Sequence, residues 1–185
     1  MTNVWTGPVV IVMGVSASGK STVGARLAAV LGVPFQEGDD LHPAANRAKM
    51  AAGHPLDDAD RAPWLAALTA WIRTAAARDH GGVLACSALR RTYRDRFRAT
   101  GANVYFLQLS LDPALAARRI SHRTGHFMPP ALLASQYALL EPLRADEPGT
   151  AVDASGTPAA TTAAALRALE QALPDHGGAV PPPPL

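Results

Sequence analysis

The sequence contains a single cysteine, Cys86, among its 185 residues. One cysteine excludes a framework of internal disulfide bonds and fits a reducing cytoplasm. Because Cys86 lies in an apolar run, we expect its thiol to be buried and inert. The six histidines form no metal-ligand spacing such as H-E-x-x-H, so a histidine–cysteine metal site is not expected either.

Charge and long apolar runs are also scarce. Charged residues make up 17% of the chain and the formal net charge is +2, which is too small to indicate nucleic acid as a general partner. Residues 1–8 form an N-terminal extension without a basic segment, and the apolar run after them stops at Gly14. We therefore expect neither a signal peptide nor a membrane span.

A glycine-rich segment, Gly14 to Ser21, fits the spacing G-x-x-x-x-G-K-[ST] at every fixed position. It follows an apolar run, residues 9–13, and precedes an Ala/Leu-rich helical pattern, which is the strand–loop–helix context that a phosphate-binding loop requires. Such a loop holds a triphosphate with backbone N–H groups, a lysine and a magnesium-binding hydroxyl. The expected nucleotide-binding residues here are Gly14, Ser16, Ser18, Gly19, Lys20, Ser21 and Thr22.

Apolar runs rich in β-formers alternate with helical patterns, which predicts an α/β domain with a parallel sheet. One domain is expected over 9–173, followed by a proline-rich tail over 174–185 that cannot join a helix or sheet interior. Gly32 and Asp112-Pro113 are expected to cap helices. Strands are predicted at 9–13, 34–37, 83–87, 104–110 and 151–153, and helices at 19–31, 43–52, 60–79, 89–99, 113–123, 129–140 and 158–173.

The segment from Gly38 to Trp64 is dense in polar side chains and follows the second strand. Ligands of open α/β sheets bind beyond the carboxyl ends of the strands. On an extended backbone Glu37 and Asp39 would point to one side, so one could accept a proton from an acceptor hydroxyl while the other steadies Mg²⁺. A polar strand end with capping roles is the alternative. Asp40 would point away and is expected to cap the next helix.

A basic segment, Arg118 to Phe127, follows the fourth strand and is interpreted as a lid over the phosphates, spanning about 118–135. Arg119 and Arg123 are four residues apart and share a helix face, and Gly125 offers a hinge. A basic, solvated helix end is the alternative. Arg90, Arg94 and Arg98 also recur every four residues, and most of that stripe is expected to be solvated, with only Arg90 in the site.

One element that many phosphate-loop proteins have is missing. The third strand ends in Ser87, where a Walker-B aspartate would often stand. Magnesium would then depend on Ser21, phosphate oxygens, water and either Glu37 or Asp39. This favours small metabolite kinases over motor-type ATPases.

These motifs together resemble the gluconokinases, within the small shikimate-kinase-like group of phosphate-loop kinases. The resemblance covers about residues 9–153 and is most specific between Gly38 and Trp64. The matching positions beyond the phosphate loop are Gly38 to Pro43, Asn46, Lys49-Met50, Gly53, Pro55-Leu56, Asp58, Asp60-Arg61, Pro63 to Leu65, Cys86 to Arg91, Tyr93 to Asp95, Arg119, Arg123, Gly125 to Phe127, Ser135 to Tyr137, Leu140 to Pro142 and Asp146-Glu147.

The resemblance implies a three-layer phosphate-loop NTPase fold, with a five-stranded parallel sheet in the order 2-3-1-4-5, a substrate-binding insert and a lid. It implies transfer of phosphate from ATP, with Mg²⁺, to the terminal hydroxyl of D-gluconate. It also makes a homodimer the expected assembly and the cytoplasm the expected location. Asp39 would be the base, with Lys20 and Arg123 on the phosphates and Arg119 near the adenine. The expected substrate-binding residues are Asp39, His42, Asn46, Lys49, Arg61, Ser87, Arg90 and His126.

Two other functions remain open at this point. The same scaffold could phosphorylate shikimate or a nucleoside monophosphate, which an acceptor panel would separate from gluconate. A regulatory module that uses the triphosphate as a switch would bind ATP without acceptor-stimulated ADP release, but it would need no second anion-binding cluster.

Overall fold

The computed structural model describes residues 5–78, 80–122 and 130–174. Its five-stranded sheet is parallel throughout. Its strands pair in the order β2-β3-β1-β4-β5, which confirms the order that the resemblance implies. The strands are β1 (Val9–Met13), β2 (Phe35–Glu37), β3 (Val83–Ala85), β4 (Val104–Ser110) and β5 (Gly149–Asp153).

Helices connect successive strands, and most of them fall where the sequence predicts. Gly38–Leu41 adds a short 3₁₀ turn directly after β2. The helices are α1 (Lys20–Leu31), α2 (Ala44–Ala51), α3 (Asp58–Ala76), α4 (Arg91–Arg98), α5 (Pro113–Ser121), α6 (Pro130–Leu139) and α7 (Pro158–Ala172).

The central strand β1 is buried along its whole length. Successive side chains of a strand point to opposite faces, so Val10 and Val12 pack in a core with α1 and α7. Ile11 and Met13 pack on the other face in a second core with α3 and α4. Helices cover both faces of the sheet, which makes the domain three-layered and explains why the inner strands β1 and β3 are continuously apolar.

Several helix ends depend on the capping residues that the sequence predicts. Gly32 ends α1 in the left-handed conformation with φ 69°. The Asp112 carboxylate accepts from the backbone N–H groups of Ala114 and Leu115 at the start of α5. These caps satisfy backbone groups that the helices leave without partners.

Three local predictions are wrong. The third strand ends at Ala85, two residues early. Helix α3 begins at Asp58 because Asp57 and Asp60 form a reciprocal capping box ahead of it. Asp40 caps no helix: it lies exposed in the 3₁₀ turn, and Pro43 precedes α2 at its N-cap position without a side-chain bond.

Parallel pairing brings the carboxyl ends of all five strands to one edge of the sheet, where the polar segments emerge. None of the helices in the described part of the chain combines the length and apolar character that a membrane crossing requires. The predicted proline-rich tail lies, apart from Pro174, outside the described residues, and so do residues 123–129 of the predicted lid.

Candidate active site

The loop between β1 and α1 has the geometry of an anion cradle. Gly14 has φ 144°, and a Cβ there would come within 2.7 Å of the Leu109 carbonyl oxygen, so a side chain is excluded. Gly19 stands at the N-cap of α1 in the left-handed conformation. The buried Ser18 hydroxyl donates to the Val15 carbonyl at 2.8 Å, which closes the loop. The helix N-terminus behind it favours a bound phosphate.

A cleft of about 300 Å³ opens over this loop. Arg119, at the last turn of α5, borders it and donates to the carbonyl oxygens of Ser155 and Gly156 at 3.0 Å and of Ala17 at 3.3 Å. Arg119 thus ties α5 to the phosphate loop and to the β5–α7 loop. The cleft is lined by residues 16–23, Asp39, Arg119, Gly156, Pro158 and Thr161.

A second, larger cavity of about 520 Å³ adjoins the first, a size typical of small-molecule sites. Its wall includes the cationic Arg61, the hydroxyl of Ser87 and the carboxylates of Glu37 and Asp39. Four residues line both the cleft and the cavity: Ser16, Lys20, Ser21 and Asp39. A group held in the cradle therefore faces directly into the second cavity.

Glu37 and Asp39 reach this cavity by a different route from the one that the sequence suggests. The strand stops at Glu37, and Asp39 lies in the 3₁₀ turn, so the argument from an extended backbone is wrong. Gly38 makes the turn possible, because a Cβ on it would come within 2.5 Å of the Ala85 carbonyl oxygen. Its own carbonyl accepts from the Trp64 indole N–H at 2.8 Å, which fixes the turn against α3.

His42 forms part of the same wall and is held by packing. Its ring stacks on Trp64 with centroids 4.5 Å apart and planes 7° apart. Burial lowers the pKa of His42; the nearby Asp39 acts in the opposite direction, and Arg61 and Arg47 reinforce the lowering. The imidazole is thereby favoured in its neutral form, as a polar but uncharged part of the cavity.

Arg61 is a cation of the cavity wall that lies outside the phosphate loop. Its guanidinium lies 5.9 Å from the centre of the Tyr93 ring and 3.9 Å from Asp58, with the side chain 18% exposed. Tyr93 donates to Asp58 at 2.7 Å, and this hydrogen bond, together with Arg90, holds the pKa of Asp58 below its usual value. Arg90 lies closer to Asp58, at 2.9 Å, and the Arg61 guanidinium also donates to the Tyr93 hydroxyl at a long 3.4 Å. These long contacts leave Arg61 able to pair with an anionic group in the cavity.

Three predicted substrate residues do not line this cavity. Arg90 pairs with Asp58 at 2.9 Å. Asn46 is buried and donates to the Asp60 carbonyl at 2.7 Å, and Lys49 pairs with the Asp60 carboxylate. Asn46 and Lys49 thus join α2 to the start of α3. Arg123 and His126 lie outside the described residues.

Two cavity features were not assigned a role from sequence. Gln136 of α6 lines the cavity, and its side-chain oxygen accepts from the Ser16 backbone N–H at 2.7 Å. Tyr93 joins the wall beside Arg61. Because these contacts connect positions 120 and 32 residues apart, local spacing offers no signal for them.

The expectation of a solvated arginine stripe is wrong at Arg94. Its side chain is fully buried and pairs with Glu147, which is fully buried too. Arg98 is partly exposed, as predicted for the stripe, and Arg90, which was predicted to lie in the site, is partly exposed too. Cys86 is buried as predicted, and burial raises the pKa of its thiol, which keeps it protonated and inert.

The donor set fits a magnesium ion shared with a nucleotide. The described residues contain no group of three or more His, Cys, Asp or Glu side chains that could hold a metal alone. Ser21, Glu37 and Asp39 line one cavity and offer the oxygen ligands that Mg²⁺ prefers. The remaining ligands would have to be phosphate oxygens and water.

Comparisons with known proteins agree with this geometry. A family model described as an AAA domain matches residues 9–143. The gluconokinase of Gluconobacter oxydans (strain 621H) is 51% identical over 138 residues, which cover 75% of this chain and 78% of that protein. The thermosensitive gluconokinase of Escherichia coli (strain K12) is 46% identical over 137 residues, covering 74% and 73%.

Solved structures of small kinases are also similar to this chain. A gluconokinase from Sinorhizobium meliloti 1021 superposes with a TM-score of 0.81 at 43% identity, covering 90% of this chain and 93% of that one. Shikimate kinase from Aquifex aeolicus vf5 shares the fold at 14% identity, with a TM-score of 0.57 over 88% and 96% of the two chains. The chain belongs to the gluconokinase family of phosphate-loop kinases.

Proposed function

We propose that this protein phosphorylates D-gluconate with ATP, giving 6-phospho-D-gluconate by in-line transfer to the terminal hydroxyl. The observation that carries this proposal is the wall shared by the cleft and the cavity, formed by Ser16, Lys20, Ser21 and Asp39. Phosphoryl transfer requires the donor phosphate and the acceptor hydroxyl to meet at such a boundary, with water excluded. Gluconokinase relatives at up to 51% identity identify the acceptor class.

The chemistry of gluconate matches the cavity. Its single carboxylate requires a cation, for which Arg61 is placed, and its hydroxyls require short polar partners such as Ser87 and His42. Arg90 lies beyond the lining residues, paired with Asp58. We therefore assign the carboxylate to Arg61, with Arg90 acting through Asp58 and Tyr93.

Asp39 would act at the boundary itself. As the terminal hydroxyl oxygen bonds to the γ-phosphorus, the bond from that phosphorus to the bridging oxygen of ADP breaks, and the hydroxyl proton passes to the Asp39 carboxylate. The amide N–H groups of the loop and Lys20 would hold the β- and γ-phosphates. Arg119 would border the adenine, and Arg123 would reach the phosphates from the predicted lid.

Magnesium would be held by Ser21, with Glu37 or Asp39 contributing through water. When bound, it would neutralise charge that accumulates on the phosphate oxygens during transfer. We further propose a homodimer in a cytoplasmic setting; the family resemblance supports the first, and the lone buried Cys86 supports the second.

A coupled assay of ADP release tests the proposal with a panel of acceptors: gluconate, shikimate and a nucleoside monophosphate. Gluconate should stimulate ADP release strongly, and ³¹P and ¹³C NMR should show one phosphate ester on the terminal carbon. Turnover only with another acceptor would move the enzyme to a different kinase class. ATP binding without stimulation by any acceptor would favour the regulatory module.

A further inference from the structure

Arg94, the fully buried arginine of α4, makes more polar contacts than its pairing with Glu147 requires. Its Nε donates to one Glu147 carboxylate oxygen at 2.6 Å and its Nη2 to the other at 2.9 Å. Its Nη1 lies near three backbone carbonyl oxygens: those of Ala88 at 3.1 Å, Leu89 at 3.2 Å and Glu141 at 3.0 Å. One guanidinium therefore joins two separate chain segments.

Both segments continue into the walls of the acceptor cavity. In the first, residues 87–90, Ser87 and Leu89 line the cavity on either side of Ala88. The second, residues 140–147, directly follows α6, whose Ser135, Gln136 and Leu139 line the same cavity. Arg94 itself does not line the cavity, so any effect on the acceptor must pass through these segments.

The backbone conformation of residues 87–90 has to be stabilised by contacts with other parts of the chain. Ala88 has φ 42°, a left-handed conformation that is unfavourable for a residue with a side chain. The bonds from Arg94 to the carbonyls of Ala88 and Leu89 hold this conformation on one side. The Glu141 backbone N–H also donates to the Leu89 carbonyl at 2.8 Å, and the Glu141 carboxylate accepts from the Arg91 N–H at 2.6 Å.

Stability alone does not account for a buried ion pair at this position. Burial would raise the pKa of Glu147, but the hydrogen bonds from Arg94 and from the Arg144 backbone outweigh it and hold that pKa below its usual value, so the pair is charged. Replacing a buried ion pair by apolar side chains of similar volume is often neutral or stabilising. What an apolar pair cannot do is bind carbonyl groups of two segments in a fixed relative position.

We propose that Arg94 is a positioning residue for the acceptor: it fixes residues 87–90 against the chain leaving α6 and so sets the shape of the gluconate cavity. This inference rests on the proposed gluconate kinase activity. Within the described residues, none of the Arg94 bonds reaches the phosphate loop, which meets these regions through single hydrogen bonds to the Ser87 carbonyl and to the Gln136 side chain. We therefore expect the KM for gluconate to change more than the KM for ATP.

The test is the double variant Arg94→Met/Glu147→Met, which removes the bridge without leaving an unpaired buried charge. Because a displaced cavity wall weakens the contacts that bind the acceptor, we expect the KM for gluconate to rise about tenfold or more, with the KM for ATP within about twofold. The thermal midpoint should stay within a few degrees of the parent protein.

The matched control is Arg91→Met/Asp146→Met. It removes an ion pair between the same helix and the same segment, but one that does not reach the carbonyls of residues 88 and 89. The control should keep the parent KM for both substrates. A second variant, Arg94→Lys, keeps the charge beside Glu147 but cannot span both segments, and it should show the same selective rise for gluconate.

Three results would overturn the inference: an unchanged KM for gluconate in both Arg94 variants, an equal rise for ATP, or loss of folding in both. The last would assign the pair to the fold instead of the site. Parent enzyme without gluconate turnover would contradict the proposed function itself, and that measurement comes first.

Discussion

The two halves of the site are built in different ways. The cleft over the phosphate loop, here called the nucleotide half, is local: residues 16–23 supply most of its wall, and its shape comes from the backbone between β1 and α1. The larger adjoining cavity, here called the acceptor half, is assembled from segments that are distant in sequence: the turn after β2, the first turns of α3, the loop after β3, and α6. The first half depends on conformation, and the second depends on tertiary contacts between side chains.

This difference explains how one scaffold can serve many acceptors. The cradle binds a phosphate group with backbone N–H groups and a helix terminus, which are indifferent to the acceptor. The acceptor cavity can be reshaped by changing side chains such as Arg61 and Tyr93, which make no hydrogen bond to the cradle in the described residues. Asp39 lines both spaces, so it lies where the donor phosphate and the acceptor hydroxyl would have to meet.

Asp39→Asn should break the link between the halves and give the largest effect. It removes proton acceptance while keeping the size of the side chain, so kcat should fall about 10²- to 10⁴-fold. ATP affinity, measured by calorimetry, should change little, because the cradle is intact. The control Asp40→Asn alters the exposed neighbour and should keep parent kinetics; an equal loss of ATP affinity in Asp39→Asn would place Asp39 at the metal.

Arg61→Ala should affect only the acceptor half. Loss of a charged hydrogen bond to the substrate carboxylate costs about 1.5–3 kcal/mol, so the KM for gluconate should rise about 10- to 100-fold. The KM for ATP should hold. Arg73→Ala, an exposed arginine at the other end of α3, is the matched control. A rise in the ATP KM alone would move Arg61 to the phosphate side.

Trp64→Phe should weaken the support of the turn that carries Asp39. It deletes the hydrogen bond from the indole N–H to the Gly38 carbonyl, so the free energy of unfolding in urea should fall by about 1–3 kcal/mol. Trp71→Phe, a change of the same size at the edge of the same core, should cost less. Equal losses would mean that packing, and not the bond to the turn, is what Trp64 contributes.

The smallest expected effect is a pH dependence of the free energy of unfolding that comes from His42, in the wall of the acceptor half. The folded state holds the pKa of His42 below 6.5, so the unfolded chain binds the proton more readily. The stability that neutral His42 contributes is thus fully present above 6.5 and falls as the pH drops towards its folded-state pKa. His42→Gln should flatten the unfolding free energy against pH between about pH 5 and pH 7; a parallel curve would contradict this.

The sequence predicts the local half of the site better than the assembled half. The cradle, Gly32 and Asp112 were recognisable because backbone conformation and capping are encoded within a few residues. The role of Arg94 was missed because a four-residue repeat of arginines indicates a solvated face, and only tertiary structure brings Glu147 to it. The 3₁₀ turn that carries Asp39 was missed because it depends on Gly38 lying against Ala85, which is distant in sequence.

The most direct test of the account is a crystal structure with a non-hydrolysable ATP analogue, Mg²⁺ and gluconate. We expect the phosphates on the loop from Gly14 to Ser21, the gluconate carboxylate at Arg61, and the terminal hydroxyl within about 2.6–3.2 Å of the Asp39 carboxylate. Gluconate bound with its terminal hydroxyl away from Asp39, or outside the cavity that adjoins the loop, would contradict it.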